Sequence, residues 1–345
     1  MSAAVVRHRL LEAQEVIRAA PPNLKGGDEA LFMHEYLREI PPTDLLVVQD
    51  AEVLPNGFVL SKRRLLPESF LGAPRELRAL KAALRIRQYH AFARKLPVQR
   101  ALLLTDEFSN GFFHWVGDVL PRLEALGPAE TRGRTLLVPA MADFDYARQS
   151  LEPYGLHDVH FLTWSERAVC RDLLIVAPIA PTGNYRPLVM SALRDRMRLH
   201  FGAVPSGRRL YISRAGSARR RIANESEMLP VLEQFGFERV LTERLSFSAQ
   251  VRLVGSATIL IGNHGAGLTH ACWMLPGTVL FELRRQRDSA NNCYFALANA
   301  LGIKYHYLTC KAVRDTKPTH TADLVVDVAR LEAELAALTQ RTLIQ

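Results

Sequence analysis

The second half of this chain alternates short apolar runs with helix-forming stretches, and that alternation restricts its fold more than any other feature. RLYISR (209–214), TILIG (258–262), TVLFEL (278–283) and IKYHYL (303–308) read as strands. Between them lie NESEMLPVLEQFGF, closed by Gly236, the short strand ERVLT, and the helical stretches SFSAQVRLVGSA, GAGLTHACWML and NNCYFALANALG. Strands that are apolar almost throughout are buried on both faces, as in a parallel sheet between helices. This half is therefore Rossmann-like, and such sheets bind ligands beyond the carboxyl ends of their strands.

The first half is less regular. MSAAVVRHRLLEAQEVIRAA reads as an amphipathic helix, with Arg7, Arg9, Glu12 and Glu15 where a signal peptide needs an apolar core. LLVVQDAEVLPNGFVL (45–60) reads as a hairpin around Pro55-Asn56-Gly57. RALLLT (100–105) and RTLLVP (134–139) each precede a helical stretch, 112–126 and 143–154, and DVHFLT (158–163) and DLLIVAP (172–178) are further strands. Pro178, Pro181, Gly183 and Pro187 mark the best linker. The expected division is 1–185, an α/β domain with an N-terminal β element; 186–320, the Rossmann-like domain; and 321–345, a C-terminal helix set to pack back on the first domain. Leu324, Val328, Leu331, Leu335 and Leu338 give that last stretch one apolar face.

A length of 345 residues with 48% hydrophobic content suits two globular domains and excludes a disordered chain. No apolar run approaches the ~18 residues of a membrane span. Four cysteines without a CxxC pair encode neither a zinc module nor a disulfide framework, which suggests thiols in a reducing, cytoplasmic setting. Of the 44 basic residues, 37 are Arg, and the formal charge is +9. Arg suits bidentate contact with phosphate, although a genome habit explains such a skew equally well.

Three constellations carry chemistry. Gly262-Asn263-His264-Gly265-Ala266-Gly267-Leu268 follows a strand and opens a helix, where glycines admit a ligand to the backbone and N–H groups face an anion. His270 occupies the third glycine position of GxGxxG, so this is not the dinucleotide fingerprint. Six arginines lie between Arg208 and Arg221, beside Ser213 at a strand end and ahead of Asn224-Glu225. They could neutralise a diphosphate, form a solvated face, or bind nucleic acid, though no nucleic-acid-binding signature accompanies them. In NGFFHWVGDVLPR (110–122), helical spacing puts His114, Asp118 and Arg122 on one face, where His and Asp could accept a hydroxyl proton. Glu282 ends a strand, either to hold a ribose diol or to pair with Arg284 or Arg285. Asp143-Phe144-Asp145 has the DxD form of a metal site, but Asp is also a common helix cap.

FHWVGDVLPRL (113–123), LYISRAGSARRRIANESEM (210–228), residues 245–283 and YFALANALGIKYHYL (294–308) together resemble the glycosyltransferase 61 family. The resemblance implies an α/β, GT-B-like fold: two Rossmann-like domains facing a cleft. It implies an inverting, metal-independent transferase that moves sugar from a nucleotide sugar, most simply a UDP-sugar, to a hydroxyl of a glycan or glycolipid. Cytoplasmic bacterial polysaccharide or capsule synthesis fits best, with peripheral membrane association left open. By resemblance Ser213, Arg214, Arg219, Asn224 and Glu225 hold the donor with His264, Gly265, Ala266, Gly267 and Leu268, and Glu282 contacts its ribose. His270 stands where many relatives have Asn, which would tune the donor pocket. The expected base is Asp118 assisted by His114, with no metal and no other cofactor. The alternative is a non-catalytic nucleotide- or glycan-binding protein of degenerate transferase fold.

Overall fold

Leu45, Leu46, Val48, Ala51 and Val53 are buried along one strand, and that strand organises the first of two units in the computed structural model. The structure describes residues 5–62, 64–66, 93–156, 158–314 and 321–342. One unit comprises Met1–Glu15 and Glu39–Leu193, the other Val16–Arg38 and Arg194–Gln345. The first strand is β1 (Val5–Leu11); β2 (Gln14–Ile17) and β3 (Leu37–Ile40) flank the segment that belongs to the second unit. There follow β4 (Thr43–Val53), β5 (Val59–Ser61), β6 (Arg64–Leu65), β7 (Arg94–Leu103), β8 (Thr135–Val138), β9 (Val159–Phe161) and β10 (Glu166–Val176).

The first sheet runs β6-β5-β4-β10-β7-β8-β9, with β1 on β4. Strands β10, β7, β8 and β9 are parallel, whereas β4 meets β10, β5 and β1 antiparallel. The hairpin over 45–60 forms as expected, with Gly57 at φ +84° in its turn. The N-terminal helix does not form. β-branched Val5 and Val6 pair with Val48 and Val47, and Arg9 reaches Asp44 Oδ1 at 2.8 Å. An available sheet neighbour has overridden helical periodicity. The Pro-rich 178–187 stretch also stays within the first unit, because buried Arg186 donates to the carbonyls of Ile179 and Pro41, both at 2.7 Å. The chain changes unit at Leu193–Arg194, inside the helix Pro187–Phe201.

The second unit carries β11 (Arg208–Ile212), β12 (Phe237–Val240), β13 (Ala257–Asn263), β14 (Val279–Arg285), β15 (Lys304–Ala312) and β16 (Leu324–Val325). Their order is β12-β11-β13-β14-β15-β16, parallel except for β16. The near-continuous burial of β13 and β14 is what a sheet covered on both faces requires. The C-terminal helix Val328–Thr342 buries Leu331, Leu335 and Leu338 in this unit's core with Ile261 and Phe281. From β11 the chain steps to β12 on one side and then to β13 on the other. That reversal is a topological switch point, the place where open α/β sheets receive ligands.

Candidate donor site and a histidine–carboxylate pair

The loops after β11 and β13 meet at the switch point. Gly262 lies opposite Ile212, so Arg214 and Gly265 come together just past the strand ends. A Cβ on Gly265 would stand 2.8 Å from Arg214 Nη1, 3.3 Å from Arg214 Cζ and 3.5 Å from Arg220 Cζ. The missing Cβ lets two guanidiniums lie against the backbone here, and a larger residue would push them away. Gly267 and Gly262 are equally tight, facing Ile212 Cγ2 at 2.9 Å and Leu268 Cδ2 at 2.8 Å. The helix that follows, Ala266–Trp273, is a 3₁₀ helix; Ala266 is half-buried at its start and Leu268 anchors it in the core.

Arg214 and Arg220 are bound by little. Arg214 Nη2 donates to the Arg219 carbonyl and Arg220 Nη1 to the His264 carbonyl, each at 3.3 Å. The Nε of each is buried without a hydrogen-bond acceptor, and neither belongs to an ion pair among the described residues. Burial, and then the neighbouring Arg220, lower the Arg214 pKa from its ordinary value. An anion placed here would supply the missing acceptors and relieve the repulsion.

The other expected donor residues divide. Arg219 is exposed and contributes its carbonyl; Arg220, a member of the cluster not expected at the donor, lies against Gly265 instead. Ser213 and Glu225 hold each other at 2.5 Å. Glu225 Oε1 also accepts from Tyr211 at 2.8 Å, and Oε2 accepts from Arg239 at 2.8 Å. These residues brace the end of β11, with Ser213 Oγ accepting from the Ala215 N–H at 3.2 Å to shape the loop. Asn224 exchanges bonds with Val326, to its carbonyl at 2.9 Å and from its N–H at 3.0 Å, away from the arginines.

Glu282 departs further from its expected place against a ribose. It is 0% exposed, and both carboxylate oxygens are engaged: Oε1 with His264 Nδ1 at 2.5 Å and Oε2 with the Tyr305 hydroxyl at 2.6 Å. It cannot hold a ribose without breaking that network, nor does it pair directly with Arg284 or Arg285. Burial raises its pKa, but His264, Arg284 and Tyr305 outweigh burial and hold it below the ordinary carboxylate range. His270 is also interior: it accepts from Trp273 Nε1 at 3.3 Å, and burial lowers its pKa to about 3. It is a neutral core group, not a lining of the donor pocket.

In the first unit, His114 Nδ1 meets Asp118 Oδ2 at 2.8 Å, as their spacing predicts. Asp118 is buried and also accepts from Thr182 at 3.4 Å, whereas the His114 side chain is 26% exposed. The ring lies against Phe108 (5.3 Å between centroids, stacked) and Phe113 (5.1 Å, edge-on). Arg122 leaves this group. The π-turn Trp115–Val119 displaces the next turn, and Arg122 bonds the Leu104 carbonyl at 2.5 Å and Asp106 at 2.6 Å. Trp115 is structural, donating to Ser150 at 2.8 Å. Asp143 is paired with Arg148 through both oxygens, at 2.7 and 2.8 Å, so the DxD stretch holds an arginine. Among the described residues, no group of three His, Cys, Asp or Glu side chains could hold a metal ion, and no helix is long and apolar enough to cross a membrane.

Fold and site define an α/β protein with two half-buried guanidiniums at a switch point of one sheet and a histidine–carboxylate pair in the other unit. Residues 112–281 match the family model described as Glycosyltransferase 61. The chain is similar to the EGF domain-specific O-linked N-acetylglucosamine transferase of Drosophila melanogaster, 40% identical over 28% of this chain and 18% of that protein. The Gallus gallus protein of the same name is 37% identical over 26% of this chain and 17% of its own length. That of Pan troglodytes is 30% identical over 37% of this chain and 24% of its own length. The chain thus spans about a fifth of the length of these curated relatives.

Proposed function

We propose that this protein is an inverting glycosyltransferase that moves a sugar from a nucleotide sugar, most simply a UDP-sugar, to a hydroxyl of a glycan, glycolipid or protein acceptor. The observation that carries the reading is the pair Arg214–Arg220 packed on Gly265 with its Nε atoms unanswered. A nucleoside diphosphate brings the charge and acceptors this pair lacks, and the start of the helix after Gly265 adds backbone N–H groups. Inversion is one in-line displacement: the acceptor oxygen bonds the anomeric carbon, the bond to the diphosphate breaks, and the acceptor proton goes to a base. The His114–Asp118 pair suits that last task, with Asp118 buried and His114 partly open to solvent. Metal independence follows if the guanidiniums neutralise the leaving group themselves. Two separate α/β units, each with parallel strands, support a GT-B arrangement. The named relatives bring N-acetylglucosamine forward as a donor sugar to test first. Polysaccharide synthesis in the cytoplasm, at a membrane surface, is the setting this reading retains.

A thermal-shift screen of nucleoside diphosphates and nucleotide sugars, with and without chelator, tests the proposal. One nucleoside diphosphate at 100 times its Kd should stabilise the protein by about 2.7 kcal/mol. Arg214→Ala and Arg220→Ala should each abolish most of that shift, and chelator should leave it unchanged. Asp118→Asn should keep the shift and lower turnover about 100-fold. Absence of any nucleotide-dependent shift would overturn the reading.

A further inference from the structure

Two phenylalanines of the first unit sit where local structure does not ask for them. Phe144 precedes the helix Asp145–Leu151, at the position where Ser, Thr, Asp or Asn would cap free N–H groups. Its side chain makes no capping bond and is not in the core, the residue being 42% exposed. Phe108, in the turn after Asp106, is 46% exposed. Apolar residues scattered singly over a surface need no explanation, but these two share an edge. Strands β7 and β8 are parallel neighbours, and the loops carrying Phe108 and Phe144 leave their carboxyl ends, where such sheets take ligands.

Each ring lies flat on a second one. Phe108 stacks on His114 (5.3 Å between centroids, 27° between planes) and Phe144 on Tyr146 (5.2 Å, 9°). A ring covered on one side and still this exposed presents its other face. The two stacks are tied together: Tyr146 donates to the Asn110 carbonyl at 2.8 Å, and Phe112 meets the Tyr146 ring edge-on at 5.3 Å. The turn is pinned from below. Buried Asp106 accepts from the Phe108 N–H at 3.0 Å, the Ser109 hydroxyl at 3.1 Å and Arg122 at 2.6 Å. Polar groups stand among the rings: exposed Asn110, partly open His114, and the Asp143–Arg148 pair.

We propose that Phe108 and Phe144 form a stacking platform for the pyranose rings of a saccharide acceptor. The inference rests on the transferase reading above and names its acceptor class: a glycan, not a bare protein side chain or a lipid tail. A pyranose has a face of axial C–H bonds, slightly positive, that matches the negative face of an aromatic ring. Its rim of hydroxyls matches the polar groups set among these rings, as orienting groups are in ligand sites generally. A lipid tail would instead need apolar surface uninterrupted by a charged pair. His114, already against Phe108, then lies beside the sugar whose hydroxyl gives up its proton.

Saturation-transfer difference NMR tests this, with the full chain and millimolar short neutral oligosaccharides of glucose, galactose, mannose, xylose and N-acetylglucosamine. At least one should bind, with saturation concentrated on the axial C–H protons of one sugar face. Phe108→Ala and Phe144→Ala should each weaken its binding about tenfold. Phe108→Leu and Phe144→Leu keep apolar area but lose the aromatic face, and they serve if an alanine variant does not fold. They should lose nearly as much, whereas Phe108→Trp should stay within about threefold of the parent. Leucine variants that bind like the parent would mark a plain apolar surface and overturn the proposal. So would the absence of binding by every oligosaccharide, or binding that all four truncations leave untouched. A purely structural role would lower the melting temperature and leave oligosaccharide affinity at the parent value, which overturns it as well. Failure of the transferase reading shows elsewhere: no nucleoside diphosphate would then stabilise the parent, whatever the oligosaccharides do.

Discussion

Arg214 and Arg220 stand together because the backbone between them turns back on itself. Arg220 has φ +56°, a left-handed conformation that a side chain of its size seldom adopts, and its guanidinium is thereby brought over Gly265. Composition marked the cluster 208–221 as a candidate diphosphate site among other readings but could not separate Arg219 from Arg220, since only a backbone angle distinguishes them. Glu282 shows the same limit. Its place on a strand was legible, although that strand runs on to Arg285, whereas the partners that close it off, His264 and Tyr305, come from other strands and their loops. The glycines of 262–267 were legible as a glycine-rich strand-to-helix turn, where a Cβ at Gly262, Gly265 or Gly267 would meet a side-chain atom within 3 Å. His270 makes a testable case of a polar residue that belongs to the core. Its folded pKa lies near 3, below the ~6.5 of an unfolded histidine. A depressed basic group gives stability that is complete above the unfolded pKa and declines as pH falls from about 6.5 towards 3. Denaturant unfolding of His270→Gln at pH 7, 6, 5 and 4 should therefore show a shallower loss than the parent over that window. Parallel curves would mean that His270 takes up its proton without unfolding.

At the level of elements, the period of the apolar residues decided most outcomes. The strands of the second unit were readable because burial on both faces makes them apolar throughout, and the hairpin over 45–60 because its turn demands Gly57. What misled was competition between local pattern and a distant partner. Residues 5–11 carry enough helical periodicity to suggest a helix, yet their backbone groups are satisfied along β4. Likewise, the C-terminal helix showed its apolar face in the sequence, but not which sheet would receive it. Leu335, 0% exposed, sits in the cluster with Ile261 and Phe281. Leu335→Ala should cost about 2–5 kcal/mol. In urea unfolding this would appear as a lower midpoint with an unchanged slope. A loss under 1 kcal/mol would mean that the helix contributes little to the core of the second unit.

For the molecule as a whole, the formal charge of +9 looked at first like an affinity for polyanions. The structure gives many of its arginines internal work. Arg18, Arg122, Arg186, Arg194, Arg198 and Arg284 are all buried. Arg198 illustrates the purpose: it ties down the carbonyls of Gly255, Trp273 at 2.6 Å and Ala203 at 3.2 Å, groups that loops would otherwise bury unsatisfied. A guanidinium with five donors suits that role, and a lysine could not reproduce it. Other arginines are neutralised at the surface, as Arg208 is by Glu238. Among the described residues, Arg214 and Arg220 combine partial burial, mutual proximity and missing acceptors, so the anion this protein selects should be small and local, not a polymer. The two cases differ in their response to salt. A protein neutralising six to ten phosphates of duplex DNA loses about 10³–10⁵ in affinity between 50 and 200 mM salt. Two guanidiniums acting on one diphosphate should lose no more than about tenfold over that range. Measured by titration calorimetry at both salt concentrations, the diphosphate should follow the shallow line, and fluorescence anisotropy should detect no duplex DNA binding at 200 mM salt. Tight, steeply salt-dependent DNA binding would return the arginine cluster to a nucleic-acid surface and remove the reason for reading the switch point as a donor site.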